Sequence, residues 1–418
     1  MKKVLIVNAS QVVTPQGRSG KTGLTMKDLS VIENGCVMIQ DGKILKVCVC
    51  DDIEEGWKVG AEIIDATGMT VLPGLIDSHT HMVFAGTRED EFSMRMAGES
   101  YLSIMEKGGG IQRSIDATRQ ASEKELYNLA KKRIENMAKM GVTTVEAKSG
   151  YGGTLEDEIK QCKVAKKLNE SGPISVVSTL MAAHTIVREY KHDPEKYVKL
   201  IIEEIIPRAA REKLAEFCDV FLEKTAFNYS QAQHILTAAK AHGFELKIHA
   251  DEITNGKGAH LAAKLNAISA EHLLFSDREG LEAMRNHHVT AVLLPLTAFS
   301  LREPYAKARE MIDQGLVVAL ASDFNPGSCY SYSMPLLMAI ACLSMNMSIE
   351  EVITALTLNG AAAINRAHKI GSIETGKDAD IAIFDCPNYA HLVYHMGINQ
   401  VHTVIKKGEV IVRNGEIV

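Results

Sequence analysis

The chain has 418 residues, more than one small core fills, so two domains or one large barrel with an appendage is the size expectation. Hydrophobic residues make up 46% and charged residues 23%, the balance of an ordinary globular protein. A net charge of −6 gives no reason to expect a nucleic-acid partner or an anionic membrane surface.

The N-terminal "MKKVLIVNAS" has too short an apolar stretch for a signal-peptide core, and no run approaches the roughly 18 apolar residues of a membrane span. The first sixty-odd residues read as short strands, with Asp41-Gly42 in "GCVMIQDGKILKVC" marking a hairpin. The eight cysteines are scattered, and Cys48 and Cys50 are the only close pair. That pattern predicts reduced thiols in a cytoplasmic protein. From residue 71 the chain alternates. Strands are expected at 71–79, 142–148, 174–182, 218–223, 245–250, 266–271, 289–294 and 317–322, separated by amphipathic helices such as "SEKELYNLAKKRIENMAKM". Eight such alternations predict a (β/α)8 barrel over 69–371, with an open doubly wound sheet as the structural alternative. The C-terminus returns to strands, with "DADIAIFD" and a second hairpin around Asn414-Gly415. Neither strand-rich end is long enough to be stable alone, so residues 1–68 and 372–418 are expected to form one composite β-sandwich domain.

In a barrel, chemistry sits where strands end. The first strand ends in "LPGLIDSHTHMVFAG", residues 72–86, with two histidines one residue apart. On a strand, residues i and i+2 share a face, so His79 and His81 can offer two imidazoles to one ion. His249 ends the fifth strand and Asp323 the eighth, and both can close the set. Three imidazoles and a carboxylate suit one divalent metal, Zn2+ first, with Fe2+ and Mn2+ as alternatives. Such an ion brings the pKa of bound water from about 15.7 towards about 7. An H-x-H pair alone is weak evidence among fifteen histidines; its convergence with His249, His272 and Asp323 is what carries the inference.

"PGLIDSHTH" with these later strand-end residues resembles the amidohydrolase superfamily. The motifs "HMVFAGTREDEF", "GGGI", "VTTVEAKSGYG", "LMAAH", "KIHADE" and "SDFNPGS", in that order, are similar to one branch of it. That branch hydrolyses the ring amide of 4-imidazolone-5-propanoate to N-formimidoyl-L-glutamate in histidine degradation. The resemblance implies a single catalytic metal on His79, His81, His249 and Asp323. It also implies a small-molecule substrate and a homodimer. Asp323, Glu252 and His272 would handle protons and charge. Arg88 would grip the propanoate, although a surface ion pair within "TREDEF" is its ordinary reading. Tyr101, Tyr151 and His184 would touch substrate, against rim or core packing. Tyr151 lies between glycines, whose flexible backbone suits a loop approaching a ligand. Asn325, Gly327 and Ser328 would hold the product's α-carboxylate, against a plain Asn-Pro-Gly turn. The Gly-rich 108–110 stretch lacks the residues of a phosphate loop.

Three rival readings stay open. A two-metal cyclic amidase needs a bridging group, for which Glu223 is the available acid and Lys148 is on the wrong strand. A cytosine- or guanine-type deaminase shares the one-metal set, but Arg88 argues for an anionic substrate. A non-catalytic barrel would have lost ligands that this sequence keeps.

Overall fold

The computed structural model describes residues 2–53, 55–99 and 109–418. Two sheets organise it. The first takes strands from both ends of the chain: β1 (Lys3–Pro15), β2 (Leu29–Gln40), β3 (Lys43–Val49), β4 (Ala61–Asp65) and β5 (Thr70–Pro73) from the start. The second is the run β6 (Leu75–Asp77), β7 (Val142–Lys148), β8 (Ser175–Ala183), β9 (Phe217–Leu222), β10 (Glu245–Ala250), β11 (Ser269–His272), β12 (Thr290–Leu293) and β13 (Val318–Leu320). The C-terminal strands β14 (Ile381–Phe384), β15 (Val401–Lys406), β16 (Glu409–Arg413) and β17 (Glu416–Ile417) return to the first sheet.

The second sheet is all parallel in sequence order, each strand joined to the next through helix, which is the expected (β/α)8 arrangement. Between its ends, closure is made just past β6 and β13. The Asp323 N–H donates to the His79 carbonyl at 3.0 Å and the His81 N–H to the Phe324 carbonyl at 2.9 Å. Asp77 reinforces the seam, accepting from the Ser322 N–H at 2.9 Å and from its hydroxyl.

The terminal segments pair as expected, in one continuous nine-stranded sheet ordered β17-β16-β15-β14-β5-β1-β2-β3, with β4 on β1. Both Asn/Asp-Gly hairpins form, with Asp41, Gly42, Asn414 and Gly415 all at positive φ. Val4, Ile6 and Ile39 from one end of the chain and Ile381, Ile383 and Ile405 from the other share an apolar core, so neither end is complete alone. Among the described residues no helix is long and apolar enough to cross a membrane.

Two local readings change. The stretch read as one strand over 71–79 is two, belonging to different sheets. β5 pairs antiparallel with β14, and after Gly74 the chain turns into barrel strand β6. The thiols are not all reduced. Cys36 is disulfide-bonded to Cys50, because the β2–β3 hairpin brings their Cα atoms to 5.1 Å. Sequence proximity drew attention to Cys48, whose side chain is free.

Gly74 marks where the two sheets meet. Its N–H donates to the Asp380 carbonyl at 2.9 Å, and a Cβ there would fall 2.2 Å from Thr143 Cγ2. Thr143 is fully buried and cannot swing away. Gly74→Ala is therefore expected to cost about 1–3 kcal/mol, the scale of overpacking. Chemical denaturation checks this, and an unchanged midpoint would contradict the packing described.

Candidate metal centre and active site

The barrel seam sets the first part of the site. The segment 79–81 runs between β7 and the end of β13. The Lys148 N–H donates to the Thr80 carbonyl at 2.9 Å and the Thr80 hydroxyl to the Glu146 carbonyl at 2.6 Å. Thr80 thus faces its neighbours while His79 and His81 project together into the barrel. Past them, Arg133 donates to the carbonyls of Met82 and Phe84 at 2.8 and 2.7 Å and lies 3.6 Å over the Phe84 ring. Gln161 caps the Val83 carbonyl at 2.6 Å. The chain leaving the histidines is pinned at three successive residues.

His79, His81 and Asp323 form one group whose ligand atoms could share an ion, and His249 stands beside them. His79 Nε2 lies 3.4 Å from Asp323 Oδ1, His81 Nε2 3.7 Å from the same oxygen, and His249 Nε2 3.3 Å from His81 Nε2. Ligands about 2.1 Å from a shared tetrahedral ion stand about 3.4 Å apart, so these spacings fit one ion. Both ring nitrogens of His79 are buried without a hydrogen-bond partner among the described residues, as is His81 Nδ1. Buried polar atoms left in this way point to a missing partner. Asp323 spends Oδ2 on the Thr297 hydroxyl at 2.7 Å, which leaves Oδ1 for the centre. Burial pushes its carboxyl up to about 6 against that hydrogen bond. His272 also approaches. With His79 and His249 it forms a second group whose nitrogens could share an ion. Asp323 and His272 both sit at positive φ, 52° and 72°, a conformation uncommon for residues with side chains and concentrated at functional sites.

Glu252 stands 3.6 Å from His272 Nε2. Burial, then the charge of Asp323, push its carboxyl up to about 8. A carboxyl held there carries its proton at neutral pH and can donate it.

Beneath the histidines lies a layer that the sequence reading missed. Lys148 Nζ is 2.7 Å from Asp219, 3.0 Å from Glu146 and 3.6 Å from Glu271. Lys247 Nζ lies 3.2 Å from Glu146 and 3.3 Å from Glu271. All five side chains are fully buried. Asp219 also stands 2.9 Å from His249 Nδ1. The signal was present: "VTTVEAK", "FCDVFL" and "ELKIHA" carry charged residues inside otherwise apolar strands, and a buried charge must have a partner. Lys148, set aside as a metal bridge, serves here as a fixed cation. Glu223 is also committed, accepting from the N–H groups of Ile253 and Thr254 at 3.0 Å each. It tethers the loop after β10.

At the mouth, Arg88 is largely buried. Its Nε donates to the Pro326 carbonyl at 3.3 Å, and Glu91 lies 3.7 Å away. A cavity of about 550 Å3 is lined by Arg88, Arg95, Phe92, Phe299, Tyr330 and Gly327 among others. A Cβ on Gly327 would stand 1.2 Å from Arg88 Nη2, so a side chain there would displace the guanidinium. Asn325 is spent on the turn. Its amide donates to the Asp323 carbonyl and Ser328 hydroxyl and accepts from the N–H groups of Gly327 and Ser328, all at 2.7–2.8 Å. The amide thus has no donor left for a carboxylate, and its bonds with Gly327 and Ser328 build the Asn-Pro-Gly turn.

Tyr151 is buried 6.0 Å from the His81 ring and 5.4 Å from His184. The glycines around it are not there for flexibility. The N–H groups of Gly150, Gly152 and Gly153 wrap the buried carboxylate of Glu158, and a Cβ on Gly152 would meet the Glu158 backbone at 2.4 Å. His184 stacks on His81 at 4.7 Å, and burial and then His249 lower its pKa to about 3, so it is neutral. Tyr101 lies outside the described residues.

Residues 70–411 match the amidohydrolase family. An imidazolonepropionase from Clostridium tetani is 51% identical over 414 residues, 98% of this chain and 99% of that one. Another, from a Geobacillus species, is 49% identical across all of both chains. Among solved structures, an adenosine deaminase from Xanthomonas campestris with bound zinc superposes with a TM-score of 0.75 at 17% identity, over 100% of this chain and 94% of that one. An atrazine chlorohydrolase from Arthrobacter aurescens complexed with zinc gives 0.71 at 16%, over 99% and 96%. Both share the fold. The chain belongs to the amidohydrolase family and, within it, to the imidazolonepropionases.

Proposed function

We propose that this chain hydrolyses the ring amide of 4-imidazolone-5-propanoate to N-formimidoyl-L-glutamate. The observation that carries this reading is the meeting of His79, His81 and Asp323 in one group, with His249 Nε2 3.3 Å from His81 Nε2, in a chain alike from end to end to imidazolonepropionases. One divalent metal per chain, Zn2+ with Fe2+ as the alternative, would be held by those four residues. When bound, such an ion polarises a carbonyl and makes hydroxide available near neutral pH. The commitment of Lys148 to carboxylates and of Glu223 to backbone N–H groups favours one ion over two.

The reaction breaks the bond between the ring carbonyl carbon and its nitrogen. Hydroxide from water joins the carbon, and the water's proton ends on the leaving nitrogen. Asp323 Oδ1 is the acceptor for the attacking water's proton. Glu252, protonated at neutral pH, supplies a proton to the leaving nitrogen. His272, within reach of Glu252, holds the attacking water or the carbonyl oxygen. Arg88 pairs with the propanoate, a bond strengthened by its burial. Tyr151 and the neutral His184 form the wall beside His81, while Tyr101, expected from the sequence to touch substrate, lies outside the described residues. Asn325, Gly327 and Ser328 act by shaping the surface on which Arg88 rests.

Adding imidazolone propanoate to the purified, metal-loaded protein should make its ultraviolet absorbance fall, and a flat trace would reject the substrate. His249→Ala should lose bound metal and turnover together, as metal analysis and rate measure; retention of both would remove His249 from the ligand set. Glu252→Gln should keep the metal and lower kcat by about 10²–10⁴. Because the donor form of Glu252 exists below its pKa of about 8, kcat should fall as pH rises through that value in the unaltered enzyme only. An alkaline limb persisting in Glu252→Gln would assign the proton elsewhere. Arg88→Ala should cost about 2–5 kcal/mol in kcat/KM, and Gly327→Ala should raise KM at unchanged thermal midpoint by displacing the guanidinium. Equal kinetics in all three proteins would return Arg88 to an ordinary ion pair.

A further inference from the structure

We propose that Asp219 is a positioning residue for His249 and that Lys148 is the counterion that lets it serve. This rests on the reading of His249 as a metal ligand. Asp219 holds His249 at two places. Its Oδ1 accepts from the His249 backbone N–H at 3.1 Å, and its Oδ2 lies 2.9 Å from ring Nδ1. One carboxylate thus hydrogen-bonds the backbone of the residue on β10 and stands at ion-pair distance from its ring, without the alignment of a hydrogen bond.

The consequence for the ring is chemical. A neutral imidazole carries one proton, and the nitrogen facing a carboxylate keeps it. Nδ1 faces Asp219, so the lone pair is on Nε2, the atom 3.3 Å from His81 Nε2 and turned to the common centre. A carboxylate behind the ring also makes that lone pair a better donor.

A carboxylate in a fully buried position needs a charge partner. Lys148 supplies it, 2.7 Å from the same Oδ2. Glu146 and Glu271 hold the Lys148 ammonium in place, and Lys247 neutralises part of their charge. No catalytic contact with substrate is required of any of these five residues.

The test compares Zn2+ affinity, by chelator competition, in the unaltered full chain and in Asp219→Asn, with circular dichroism as the fold control. The variant should fold and bind Zn2+ about 10–100-fold more weakly. Equal affinity in a folded variant overturns the inference. If the variant misfolds, the unaltered protein decides. Histidine-selective 15N spectra of the zinc-loaded chain, assigned by through-bond correlation to the His249 backbone, should give a protonated Nδ1 and a metal-bound Nε2 at His249. A bare Nδ1 overturns the proposal. Failure of the unaltered protein to bind Zn2+ would instead sink the metal reading on which it rests.

Discussion

Two backbone hydrogen bonds, from Asp323 to the His79 carbonyl and from His81 to the Phe324 carbonyl, close the barrel. The residues that make the closure are the ones whose side chains meet at the centre. This couples fold to chemistry directly. The first and last strands cannot separate without pulling Asp323 away from His79 and His81, and Asp77 locks the same seam through Ser322. The remaining histidines arrive from β10 and β11, across a parallel sheet whose register is set strand by strand.

Electrostatics dictates the layering. A barrel interior is normally filled with apolar side chains, yet here its middle holds two lysines and three acids, all fully buried. Each is tolerable only because the others are present. The arrangement is rigid for the same reason: moving one charge strands another. Above that layer, burial lowers the pKa of His79, His81 and His272, whereas at His249 burial is overridden by Asp219, which raises it. Neutral rings are the form that donates to a cation. The mouth then changes character, with Arg88 and Arg95 beside Phe92, Leu296, Phe299 and Tyr330. An anionic small molecule suits that combination of cation and dry wall.

Much of this was legible in the residues themselves. Strand ends could be read from β-branched runs, and the periodicity of two put His79 and His81 on one face. The two Asn/Asp-Gly hairpins formed as turn chemistry requires. What escaped had common physical causes. Gly74 divides one apolar run between two sheets, and no local signal separates two short strands from one long one. Asp219, Glu146, Lys148, Lys247 and Glu271 are scattered over four strands, so their pairing is a tertiary fact. The glycines at 150–153 read as flexible, but side chains are excluded there by His184 at Gly150, the Glu158 backbone at Gly152, and Val187 and Arg119 at Gly153. Asn325 looked like a ligand-binding amide, and its turn consumes every hydrogen bond it can make. The Cys36–Cys50 pairing depends on hairpin register rather than spacing.

The central claim is that four side chains share one ion at the barrel seam. Anomalous diffraction at the zinc absorption edge, from crystals of the zinc-loaded chain, tests it most directly. The account predicts one strong peak per chain, within bonding distance of His79 Nε2, His81 Nε2, His249 Nε2 and Asp323 Oδ1. A peak placed instead among Asp219, His249 and Glu271, or none at all, would contradict it.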